Sequence, residues 1–152
     1  MIELPLNLLR IQVTFNPDNI GSLDPEENPL FTFSGDIEGT NIPIPSGIAM
    51  IVFNLDTAPT TILPAPAPAV FQTSPIQWFE TAEGGSSTNN PTLLPGMFMF
   101  QRIGDTTVTL LDFNSNQSEE LVNTNHWFHI VVVYNTFTYG SDPTIINQPP
   151  GG

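Results

Sequence analysis

The sequence predicts an all-β protein. Apolar residues alternate with polar residues in several short segments, which is the period of a strand with one buried face. The 16 prolines and 11 glycines interrupt these segments at intervals where turns are expected. No segment combines apolar residues at helical spacing with capping residues. We therefore predict one domain over residues 1–152, an antiparallel β-sandwich of the immunoglobulin-like type with seven to nine strands.

Four strands are predicted in the first half of the chain. The first has apolar residues at alternate positions from Leu9 to Phe15, with polar residues between them. The last is apolar almost throughout, so we expect it to be covered on both faces. The four segments are 8–15, 30–34, 42–44 and 48–55.

The second half begins with a connector in which prolines alternate with other residues over 63–69, a pattern typical of polyproline II. A strand over 70–79 follows, in which Pro75 indicates a sheet edge or a bulge. The Gly- and Ser-rich segment 83–91 is predicted to be a long surface loop.

A hairpin is predicted from 97–103 and 106–113, because Gly104-Asp105 between them suits a two-residue type II′ turn. The apolar segment 127–134 completes the core, and 144–146 adds a short terminal strand. The predicted core residues are Ile11, Val13, Phe15, Ile51, Phe53, Phe98, Phe100, Leu110, Phe128, Ile130 and Val132.

The composition excludes several classes of function. Fifteen carboxylates and only two arginines, with no lysine, give a net charge of −13, which opposes binding to nucleic acid or to an anionic membrane. The same charge favours solubility and attracts divalent or basic ligands. The absence of cysteine excludes disulfides, thiol catalysis and cysteine-type metal sites. Neither a signal peptide nor an apolar span of membrane length is present, which predicts a cytoplasmic protein.

The histidines do not predict an enzyme. His126 and His129 are three residues apart, a spacing that places them on opposite faces of a strand. No metalloprotease motif, serine-hydrolase motif or nucleotide-binding glycine motif occurs. We therefore assign no catalytic residue and no cofactor-binding residue.

The segment from Asp112 to Asn116 resembles the start of a calcium-binding loop, because oxygen ligands alternate along it. The candidate metal ligands are Asp112, Asn114, Asn116 and Glu120. Gln117 stands where such a loop needs glycine, so an Asx-rich turn is the alternative. The acidic loops 24–27 and 36–38 would add to a cation site if they met at one end of the sandwich.

Aromatic residues offer a further alternative, a surface on which carbohydrate stacks. This surface would use Trp78, Phe79, Trp127, Phe128 and Tyr134. Each of them stands in a strand-like segment beside aliphatic residues, so core filling is the favoured interpretation.

The C-terminal segment from Ser141 to Pro150 contains Asp142-Pro143, followed by Gln148-Pro149. In this it resembles the DP-EP family of uncharacterised bacterial proteins, although Gln-Pro replaces the Glu-Pro element. Segment 74–78 is also similar to that family. The resemblance implies a small β-sandwich and transfers no functional residue.

These observations lead to three hypotheses about function. The leading one is a non-enzymatic interaction or structural protein that is able to form homo-oligomers. The second is a calcium- or carbohydrate-binding module that uses the acidic loops. The third and most remote is a hydrolase that uses a pair of carboxylates.

Overall fold

The structure, a computed structural model, describes residues 6–45, 47–79, 98–113, 124–141 and 143–147. These residues form ten strands and one short 3-10 helix, Pro17–Asn19. The strands are β1 Leu6–Phe15, β2 Phe31–Gly35, β3 Asn41–Ile44, β4 Ile48–Thr57, β5 Val70–Phe79, β6 Phe98–Arg102, β7 Thr107–Asp112, β8 Thr124–Tyr134, β9 Phe137–Ser141 and β10 Thr144–Asn147. Within these ranges, no helix has the length and apolar character needed to cross a membrane.

The strands form two sheets, which confirms the all-β prediction. The first sheet has the order β2-β1-β4-β7-β6, and the second has the order β3-β10-β8-β5. Strand β9 pairs with the half of β8 that β10 leaves free, so β9 and β10 follow each other along one edge of β8. The described strands exceed the predicted number because β9 was not expected.

The prediction that the sheets are entirely antiparallel is wrong. Strand β4 pairs with β1 in the parallel direction over the full length of both strands, and β10 pairs with β3 in the same way. The physical reason is the crossover between the sheets. The chain leaves the first sheet after β2, forms β3 in the second sheet, and returns as β4, so β4 runs in the same direction as β1. The immunoglobulin-like topology stays a prediction.

The inner faces of the two sheets share one hydrophobic core. Phe53 of the first sheet meets Phe128 of the second edge to face, with ring centroids 6.3 Å apart. All predicted core residues are buried except Phe100, which is 43% exposed. Phe100 lies on β6, the edge strand of the first sheet, and is therefore less covered than residues of the central strands.

Strand β4 has one covered face and not two as predicted. Its buried residues alternate with half-buried or exposed ones, starting from Ala49. No second layer of described residues covers the outer face of the first sheet, so the side chains there are only half buried.

Strand β5 confirms the interpretation of Pro75. Phe71 pairs with Val132 and Ile76 pairs with Ile130, so the residues between Phe71 and Ile76 bulge out opposite a single residue of β8. The strand is also an edge of the second sheet. Proline is tolerated at such a position because no neighbouring strand needs its missing N–H group.

The hairpin of β6 and β7 is confirmed, but its predicted type II′ turn is wrong. The N–H of Ile103 donates to the carbonyl of Thr107 at 2.9 Å, so the loop spans more than two residues. Gly104 does not have a positive φ, which a type II′ turn requires at its first central position. The predicted surface loop 83–91 lies outside the described residues.

Candidate binding groove

Strand β2 ends early, and among the described strands none pairs with the N-terminal half of β1 on that side. The two strands pair from Phe15 opposite Phe31 to Ile11 opposite Gly35. Gly35 has a φ of 96°, and a Cβ atom there would overlap the carbonyl oxygen of Arg10. Only glycine fits this backbone conformation without strain, so Gly35 is where the chain can turn out of the sheet.

The turn after Gly35 caps the ladder at Arg10. The N–H of Asp36 donates to the Arg10 carbonyl at 2.9 Å, and the N–H of Arg10 donates to Oδ2 of Asp36 at 2.8 Å. Glu38 and Asn41 then exchange two backbone hydrogen bonds, which close the turn that leads into β3. The chain thus reaches the second sheet without pairing with Leu6–Leu9 on that side.

The N-terminal half of β1 therefore presents an open edge. Alternate residues of a strand direct their N–H and C=O groups to the same side, so Leu6 and Leu8 direct theirs to the side that Arg10 uses for Asp36. No other strand of the described part pairs with that side of Leu6–Leu9. These groups resemble the edge of a sheet that can accept a further strand.

A groove of about 570 Å³ runs along this open edge. Its apolar side chains come from β1, from the turn after β2 and from β3, and two carboxylates, those of Asp36 and Glu38, line it as well. Leu6 and Leu8 are 66% and 52% exposed, which is unusual for leucines on a strand. The lining residues are Leu6, Asn7, Leu8, Leu9, Gly35, Asp36, Ile37, Glu38, Pro43 and Pro45.

The neighbouring edge strand differs from this one in its ability to pair. Strand β3 is the edge of the second sheet, and Pro43 within it lacks an N–H group. Proline on an edge strand opposes the addition of another strand. The segment Leu6–Leu9 contains no proline, so its edge keeps all of its hydrogen-bonding groups.

The candidate metal ligands are only partly described. Asp112 is fully buried at the end of β7, while Asn114, Asn116 and Glu120 lie outside the described residues, so calcium binding stays a prediction. Nowhere in the described ranges do three or more histidine, aspartate or glutamate side chains gather closely enough to hold a metal ion. The acidic loops 24–27 and 36–38 lie at opposite ends of β2 and do not meet.

The histidines lie on opposite faces of β8, as predicted. His126 is on the inner face, where its ring packs against Phe98. Burial lowers the pKa of His126 to about 4, so its imidazole is neutral at pH 7. His129 is on the outer face, with Nδ1 3.3 Å from the carbonyl oxygen of Ser141. The structure therefore keeps the two imidazole rings on separate faces of the second sheet.

Core filling is confirmed for two members of the aromatic set. Phe128 and Tyr134 are buried and belong to the hydrophobic core. Trp127 is half-buried, and the side chains of Trp78 and Phe79 are not among those that the structure describes. A stacking surface that needs Phe128 or Tyr134 is therefore wrong.

The open edge of β1 was not predicted from sequence. The alternating pattern placed the start of the strand at residue 8, and the structure begins it at Leu6. The one available signal was Gly35 after the short second strand, because glycine often marks a change of direction. Comparison with protein-family models and with curated proteins finds no match to this chain. The resemblance to the DP-EP family therefore stays a prediction.

Proposed function

We propose that this chain is a non-enzymatic interaction protein that binds an extended polypeptide segment along Leu6–Leu9 of β1. The observation that supports the proposal is the open strand edge beside the groove. A peptide added to a sheet edge gains affinity from main-chain hydrogen bonds and specificity from pockets for its alternate side chains.

The geometry of the groove favours a particular kind of peptide. The peptide would lie beside β1 in the position that β2 would take if it were longer. We expect it to run antiparallel to β1, because β2 already pairs with β1 in that direction. Alternate side chains of the peptide would then enter the groove between β1 and β3, where Leu6, Leu8 and Ile37 offer apolar contacts. We expect peptides with apolar residues at every second position.

Charge favours a basic partner over a second copy of this chain. Asp36 and Glu38 line the groove, and the chain as a whole has a net charge of −13. A basic peptide is attracted to this field, whereas two copies of the chain repel each other. Self-association through the same edge is thus the weaker form of the proposal, and we expect it only at high ionic strength, where the repulsion is screened.

The expected complex is weak. Each added hydrogen bond contributes about 1 kcal/mol, apolar peptide side chains that enter the groove add to this, and the ordering of the peptide opposes binding. A short edge of this kind supports a dissociation constant on the order of 10–100 µM.

A display library of random ten-residue peptides tests the proposal directly. Leu8→Pro removes an N–H group from the open edge, and Leu23→Pro places the same residue at a fully exposed loop position as a control. We expect selected peptides to alternate apolar residues, to include Lys or Arg, and to lose binding to the Leu8→Pro variant only. Failure to select any peptide, or equal binding to both variants, would contradict strand addition.

Amide hydrogen exchange gives an independent measurement. In the free protein the amide of Leu8 should exchange quickly, whereas that of Leu9, which lies on the side paired with β4, should be protected. Addition of a selected peptide should slow exchange at Leu8. Protection of Leu8 in the free protein would show that the edge is already occupied.

A further inference from the structure

A second cavity, of about 410 Å³, lies at the other end of the two sheets. It is formed where the hairpin of β8 and β9 approaches the 3-10 helix and the connector after β4. We call it the aromatic recess and define it by five of its lining residues, Asp18, Ile20, Ile62, Phe137 and Tyr139. It shares no residue with the groove at Leu6–Leu9, so the binding of a ligand in the recess would not require strand addition at that groove.

The aromatic side chains of the recess are held by the core and by a tight turn. The half-buried ring of Tyr139 contacts the core residue Phe15, with ring centroids 5.3 Å apart, and the buried ring of Tyr134 contacts Phe15 as well, at 5.1 Å. Asn135 and Thr136 have φ values of 49° and 69°, which close the hairpin in two residues and put Phe137 directly after it. Phe137 is 62% exposed, so an aromatic ring at the recess stays open to solvent.

The carboxylate of Asp18 is fixed at the same cavity. Its oxygens accept a hydrogen bond from the hydroxyl of Thr60 at 2.7 Å and from the N–H of Thr61 at 3.0 and 3.1 Å. These bonds lower the pKa of Asp18, so the group is ionised at neutral pH. No lysine or arginine lines the recess.

We propose that the aromatic recess binds an organic cation, specifically a trimethylammonium group. Aromatic rings attract cations through their quadrupole, and the methyl groups of such a cation pack against apolar side chains. The carboxylate supplies a fixed opposite charge, and the net charge of −13 disfavours anionic ligands. Tyrosine and phenylalanine beside one ionised acid, lined further by isoleucine, fit this chemistry better than they fit a neutral sugar or a hydrated metal ion.

The test compares choline with 3,3-dimethylbutan-1-ol, which has the same shape and no charge. Both are titrated into the full chain while backbone amide signals are followed by NMR. We expect choline to bind with a dissociation constant on the order of 1 mM and the neutral compound at least about fivefold more weakly. The shifted signals should come from residues of the recess.

Variants separate the contributions of charge and ring. Asp18→Asn removes the charge but keeps an acceptor for Thr60 and Thr61, and it should weaken choline binding about fivefold. Phe137→Leu removes the aromatic ring without changing the loop of Thr60 and Thr61, and it should weaken choline binding about threefold. Asp56→Asn is the matched control, since Asp56 is an exposed carboxylate on β4 that does not line the recess. It should bind choline like the parent chain.

A competing peptide that contains trimethyllysine distinguishes two sources of the trimethylammonium group, a small molecule and a modified protein tail. Displacement of choline by this peptide supports the proposal and indicates a modified protein tail, whereas binding of choline without displacement supports it and indicates a small molecule. Equal affinity for choline and its neutral analogue would overturn the proposal, as would the lack of saturable choline binding.

Discussion

The imidazole of His126 packs edge to face against the ring of Phe98, with centroids 5.0 Å apart and planes at 73°. His126 belongs to β8 and Phe98 to β6, so the contact joins the two sheets. Nε2 of His126 is buried, and it has no hydrogen-bond partner within the described part of the chain. The ring is therefore held in an apolar environment that disfavours its charged form.

This contact predicts a pH dependence of stability. The pKa of His126 is about 4 in the folded chain and about 6.5 for an ordinary histidine. Between these values the unfolded chain binds the proton more strongly, so the free energy of unfolding falls as the pH is lowered from 6.5 to 4. We expect a loss of about 1–2 kcal/mol between pH 7.5 and 5, since the ring is only partly buried and pH 5 still lies above the pKa of the folded chain. Urea unfolding between pH 7.5 and 5 measures it.

Two variants assign the effect to His126. His126→Phe should show a much flatter dependence over this pH range, in which most carboxylates stay ionised. His129→Gln retains His126 and should keep the slope that His126 causes. Parallel curves for the parent chain and the His126→Phe variant would show that His126 does not cause the dependence.

The glycine that ends β2 predicts an unequal pair of alanine substitutions. Gly35 and Gly21 both have positive φ. A Cβ atom at Gly35 would overlap a backbone oxygen, whereas a Cβ atom at Gly21 would have no other atom within 4 Å. Gly21→Ala should cost about 1 kcal/mol, and Gly35→Ala more than about 2 kcal/mol. Thermal unfolding of the two variants checks this order, and similar losses would contradict the geometry at Gly35.

Strand β6 offers a second comparison. Phe98 is buried and Phe100 is partly exposed, although both were predicted to lie in the core. Phe98→Ala should reduce the free energy of unfolding by about 3 kcal/mol and Phe100→Ala by less than about 1.5 kcal/mol. Chemical denaturation of both variants provides the test. A larger loss at Phe100 would mean that this ring is covered in solution.

The environment of the Tyr134 hydroxyl predicts that Tyr134→Phe has little effect on stability. Its hydroxyl is buried and has no hydrogen-bond partner among the residues that the structure describes. Tyr134→Phe should leave stability within about 0.5 kcal/mol of the parent chain or raise it, because no hydrogen bond is lost. Calorimetry measures the change. A loss above about 1 kcal/mol would reveal a partner for the hydroxyl.

The sequence predicted the features that depend on local pattern. Alternation placed Leu9 to Phe15 toward the core, the proline of β5 indicated its bulge, and the spacing of the histidines separated them on β8. These predictions succeed because strand periodicity and proline chemistry act over a few residues.

Features that depend on distant segments were not predicted. The parallel pairing of β4 with β1 follows from the path through the second sheet, which no local pattern encodes. Strand β9 was missed because Asn135 and Thr136 form its turn, and threonine is rare at positive φ. Asp18 and Phe137 meet at one recess although they are far apart in the chain, so sequence reasoning had no basis for joining them.

The position of β10 has a consequence for synthesis on the ribosome. Strand β3 is made early, yet its neighbour in the second sheet is β10, which also separates β3 from β8. Translation must therefore continue almost to residue 147 before Ile42 and Ile44 can be enclosed beside their final neighbour. Until then the second sheet of the emerging chain is incomplete and its apolar face is exposed. The interval before β10 is synthesised is therefore the period in which the chain is most prone to aggregate and most in need of a chaperone.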